Sequence, residues 1–100
     1  MKLKNNVKLA DLQPQALLGM LVAEEVYREA GADFVITSVN DSKHMGNSLH
    51  YSGYAFDCRI WTLEEDMRQP VANDISAALG EDFDVVLESD HIHIEYDPQD

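Results

Sequence analysis

Three of the four histidines in this chain fall in two short segments rich in acids and hydroxyls. One reads Ser48-Leu49-His50-Tyr51-Ser52-Gly53-Tyr54-Ala55-Phe56-Asp57, and the other Glu88-Ser89-Asp90-His91-Ile92-His93. The fourth histidine, His44, stands six residues before His50. Imidazoles and carboxylates are the donors that catalytic zinc prefers: three protein ligands from His, Asp and Glu, with a fourth position left for water. Zinc lowers the pKa of that water to ~7, and a nearby carboxylate or imidazole must then accept a proton and return it. Asp90 and His91 lie beside His93 for that task, with Glu88 as the alternative.

Such residues act together only if the backbone aims them at one point. In an extended strand His91, His93 and Glu95 share one face, and Ile92, Ile94 and Tyr96 share the other. The isoleucine side reads as core, so the imidazole side is free to meet water or a metal. Tyr54 to Trp61 alternates as a second strand, with Ala55, Asp57 and Arg59 on one face and Tyr54, Phe56, Cys58 and Ile60 on the apolar one. An imidazole pair on one strand and a carboxylate on its neighbour can then converge.

The remaining chain supplies the support. Leu12 to Ala30 is predicted to be an amphipathic helix, its apolar face drawn from Leu17, Leu18, Leu21 and Ala23 to Val26. Pro14 suits its first turn and Gly31 its end. Asp33 to Val39 reads as a strand, and Asn40 to Asn47 as a loop. Thr62 with Glu65 forms a capping box opening a helical region. Pro70 either breaks that region or starts a separate helix to Leu79, closed by Gly80. Phe83 to Glu88 and His91 to Tyr96 form a hairpin around Ser89-Asp90. The predicted outline is α-β-β-α-β-β, an α+β fold with a small antiparallel sheet and helices packed on it, in one domain spanning residues 1–100.

Charge narrows the function classes. A net charge of −12 with only seven Lys and Arg argues against binding nucleic acid or an anionic membrane surface. An acidic mimic of nucleic acid would share that charge, but it leaves the two histidine segments unexplained. The single cysteine, Cys58, excludes an intramolecular disulfide and a thiolate metal cluster. Met1 to Lys8 is basic without the apolar run of a secretory signal, so the expectation is a cytoplasmic chain.

Taken together, Ser48-Leu49-His50-x-x-Gly53-x-Ala55-x-Asp57 and Asp90-His91-Ile92-His93 resemble the zinc D-alanyl-D-alanine carboxypeptidases and their phage relatives, the L-alanyl-D-glutamate endolysins. They are also similar to the zinc site of the hedgehog signalling domain, which shares that fold. The family pattern is Ser-x-His, Asp seven residues on, then a distal His preceded three residues earlier by an acidic base. The resemblance covers roughly Phe34 to Tyr96. It implies one Zn2+ per chain held by His50, Asp57 and His93, and Asp90 as general base. His91 and His44 match histidines that lie near the metal in relatives and are candidates for stabilising the oxyanion.

The implied substrate is a peptidoglycan stem peptide or another small peptide containing D-amino acids. A phage-encoded enzyme that is carried in the virion, or reaches the wall through a separate pore, fits the absent signal. The chain departs from the pattern where many carboxypeptidases carry Gly-Tyr-Arg, the arginine holding the substrate carboxylate: here Ile36-Thr37-Ser38 continues as Val39-Asn40-Asp41. Lys43 or Arg59 would have to substitute, and Ser48 is a second substrate-binding candidate. The alternative is a zinc-binding interaction module without catalysis, in which His44 or His91 closes the site as a fourth ligand.

Overall fold

A computed structural model describes residues 1–10, 12–39 and 54–98. Helix α1 spans Pro14–Glu29, with Pro14 in the first turn, where its missing N–H costs nothing. The end is a Schellman turn: Ala32 N–H donates to Tyr27 O and Gly31 N–H to Arg28 O, both at 3.0 Å. That turn needs a residue at positive φ, and Gly31 has φ 76°.

The buried face of α1 keeps Ala23 and Val26 of the apolar face expected from the sequence, but not its leucines. Leu17, Leu18 and Leu21 are exposed, and the core face is Ala16, Gly19, Met20, Ala23, Val26 and Tyr27. Packing distance explains the choice. A Cβ at Gly19 would lie 3.1 Å from the Phe83 ring and 3.4 Å from that of Phe56. Small residues let the helix approach the sheet closely, and a row of leucines on that side would hold it off.

Five strands form one mixed sheet in the order β1-β2-β3-β5-β4: β1 Lys2–Leu3, β2 Val35–Val39, β3 Ala55–Arg59, β4 Phe83–Leu87 and β5 His91–Tyr96. The expected antiparallel sheet holds for β2 to β5, but β1 adds a parallel edge beside β2. Two residues with exposed side chains carry too little pattern to be read as a strand. Ser89-Asp90 is the hairpin turn, closed by Glu88 N–H donating to His91 O at 2.8 Å. Glu88 thus lies just beyond the end of β4 rather than on it.

The expected capping box is absent. Thr62 Oγ1 instead donates to Asp33 O at 2.7 Å, tying the end of β3 to the start of β2. A short 3₁₀ turn, Glu65–Met67, leads into helix α2, Arg68–Leu79, without a side-chain cap. Pro70 sits inside the first turn of α2, where N–H groups have no intrahelical acceptor, so it neither breaks nor starts a helix. Gly80 closes α2 with φ 83°.

Both helices cover the same face of the sheet. The core joins Met20, Ala23 and Tyr27 of α1 and Val71 and Ile75 of α2 to Ile36, Phe56, Cys58, Ile92 and Ile94 of the strands. Tyr27 donates its hydroxyl to Arg59 O at 2.8 Å, at the C-terminal end of β3. Burial pushes the Cys58 thiol up to about 12, so it stays protonated as a core side chain. No helix among the described residues is long and apolar enough to cross a membrane.

Candidate functional site

With Phe56, Cys58, Ile92 and Ile94 committed to the core, strand alternation turns Asp57, Arg59, His91, His93 and Glu95 to the opposite face. The β3·β5 register then pairs Asp57 directly with His93, Arg59 with His91 and Ala55 with Glu95. Directly opposed residues have Cβ atoms only ~4.5–5.5 Å apart, so their side chains meet without a loop to guide them. A register irregularity in β2 between Ile36 and Ser38 lies beside Asp57, where bulges commonly re-aim side chains.

The outcome is a chain of alternating acids and imidazoles. Asp90 Oδ1 lies 2.6 Å from His91 Nδ1. His91 Nε2 faces Asp57 Oδ2 at 3.7 Å. Asp57 Oδ1 accepts from His93 Nδ1 at 2.7 Å, and His93 Nε2 is 3.1 Å from Glu95 Oε1. Asp90 is at the solvent end, 84% exposed, while the Glu95 side chain is only 16% exposed.

His93 is therefore an imidazolium bridging two carboxylates. Its pKa is raised from 6.5 to about 9, chiefly by the hydrogen bond to Asp57; partial burial opposes the rise and Glu95 adds to it. The protonated ring supplies the positive charge between Asp57 and Glu95.

Two of the three expected zinc ligands, Asp57 and His93, thus face each other across neighbouring strands. The third, His50, lies outside the described residues, as do His44 and Ser48. Among the described residues no three His, Cys, Asp or Glu side chains are gathered as a complete metal set. The donors present nevertheless suit zinc: a carboxylate and an imidazole nitrogen in contact, with a further carboxylate behind the imidazole. Asp90 reaches this pair through His91 rather than by direct contact. Arg59 lies on the same face with its guanidinium stacked on the exposed Trp61 ring, 4.4 Å from the centroid.

Glu95 and Trp61 have no role in the sequence reading. The i, i+2 spacing from His93 signals that Glu95 shares the face, but only the side-chain geometry shows it on the ring nitrogen. No protein-family model matches the chain, and no curated protein matches it significantly.

Proposed function

We propose that this chain is a single-zinc peptidase of the hedgehog and D-alanyl-D-alanine peptidase kind, with the metal held by His50, Asp57 and His93. The observation that carries the reading is the cross-strand contact of Asp57 with His93, at 2.7 Å between Oδ1 and Nδ1. The motif resemblance names these two residues as ligands, and strand register alone brings them together.

Zinc in such a site supplies Lewis acidity and makes water nucleophilic at neutral pH. The chain's own groups supply the proton handling. Asp90, held against His91 Nδ1, accepts the proton from the attacking water and returns it to the leaving amine. His91, with Nε2 turned inward, donates to the oxyanion that develops on the scissile carbonyl. Arg59, held by Trp61, receives a substrate carboxylate, and Ser48, which lies outside the described residues, is the second substrate-binding residue proposed. The substrate class is the peptide stem of peptidoglycan, and a phage-encoded protein released to the wall is the setting proposed.

The test is metal analysis of the purified protein followed by digestion of purified peptidoglycan. Release of free D-alanine identifies a carboxypeptidase, and new termini at L-alanine an endopeptidase. One zinc per chain without hydrolysis of any wall peptide would establish the non-catalytic zinc module instead. A protein without metal affinity would refute both.

A further inference from the structure

The two nitrogens of His93 have separate carboxylates: Nδ1 faces Asp57 at 2.7 Å and Nε2 faces Glu95 at 3.1 Å. We infer that Glu95 is a positioning residue for His93: it accepts a hydrogen bond from Nε2–H, keeps the hydrogen on that nitrogen and so presents Nδ1, the nitrogen beside Asp57, as the metal donor. This rests on the zinc reading above.

The geometry allows one division of labour. Lone pairs on the two ring nitrogens diverge, so a metal shared with Asp57 must use the nitrogen that faces Asp57. The other nitrogen then keeps its hydrogen and needs an acceptor. Ligating histidines are commonly held this way, and losing the acceptor typically costs ~10–100-fold in metal affinity.

Glu95 is also placed at a cost. Its neighbour across β4 is Asp84, which carries the same charge, and directly opposed like charges destabilise a sheet. On its other side Ala55 is fully buried and offers no compensating charge. A carboxylate 16% exposed between these neighbours is offset by the His93 N–H it accepts.

The experiment uses the full chain with ¹⁵N-labelled histidine, His93 signals being assigned through His93→Gln. In protein loaded with ¹¹³Cd, scalar coupling should appear at His93 Nδ1 while Nε2 retains its hydrogen. Glu95→Ala should weaken cadmium and zinc binding ~10–100-fold, and Glu95→Gln, whose amide oxygen still accepts, should lose clearly less. Coupling at Nε2, unchanged affinity in Glu95→Ala, or equal losses in both variants would overturn the inference; equal losses would mean that only net charge matters. Metal-free protein separates the two readings. There the Nε2–H correlation of His93 should be sharp in the wild type and in Glu95→Gln and lost in Glu95→Ala. A wild type that binds neither metal ends the zinc reading, and the metal-free spectrum still decides whether Glu95 holds the ring: a correlation unchanged in Glu95→Ala overturns that hold.

Discussion

Raising the pH of the metal-free protein should remove a stabilising contact and, in the same range, create metal affinity. His93 is protonated with its pKa raised from 6.5 to about 9. At ~1.36 kcal/mol per unit the difference corresponds to about 3 kcal/mol. With the side chain 33% exposed, solvent screening reduces the expected net contribution to about 1–2 kcal/mol. A raised pKa means that the folded state holds the proton more tightly than the unfolded state. The stabilisation is thus complete below about pH 6.5 and disappears as pH rises through about 9. Urea denaturation of chelator-treated wild type and His93→Gln at pH 6, 8 and 10 measures it as a difference that shrinks with pH. Zinc binding must displace the same proton, so apparent affinity should climb about tenfold per unit up to about pH 9. At pH 7, two units lower, binding should be ~100-fold weaker than its limit. A stability difference flat from pH 6 to 10, or an affinity that levels off near pH 6.5, would refute the imidazolium bridge.

His50→Ala, Asp57→Ala and His93→Ala should each abolish stoichiometric zinc, measured by elemental analysis, and retention in the triple variant would show the ligands to be elsewhere. Asp90→Asn should keep the metal and lower turnover on wall peptides ~10²–10⁴-fold, while Glu88→Gln, on the far side of the turn, stays near wild type; the reverse pattern would move the base to Glu88. Gly19→Leu should destabilise the fold by about 1–3 kcal/mol in urea titrations, because the new side chain enters the Phe83 and Phe56 rings. Leu18→Ala, on the exposed face of α1, should shift stability by less than about 0.5 kcal/mol.

The parts of the fold legible in the sequence were those fixed by alternation. Ile92 and Ile94, alternating with the histidines of β5, and Phe56 and Cys58, flanking Asp57 in β3, assign one face of each strand to the core, and the site face follows. Register was not legible, since nothing local to Asp57 says that it stands opposite His93 rather than His91. Ala23 and Val26 of α1 are legible as core, but its leucines are not legible as exposed, because hydrophobicity ranks Leu above Gly and Ala whereas close packing on Phe83 and Phe56 selects for size. Thr62 matched a capping pattern, but its hydroxyl is taken by the Asp33 carbonyl, a contact between segments 29 residues apart. Strand β1 escaped because two exposed residues show no period and their pairing is wholly non-local.

The strand order also sets when the site can exist. His91, His93 and Glu95 ride on a hairpin closed by a two-residue turn, a structure able to form in microseconds. Asp57 must come from 36 residues away, which makes its arrival one of the slower, non-local steps of folding. The imidazoles should therefore be in place before the carboxylate that faces them, and a metal held by both, as proposed above, would meet a structure already built. On the proposed zinc reading, such a ligand should leave the refolding rate nearly unchanged and slow unfolding instead, the behaviour of a kinetic lock on the finished sheet.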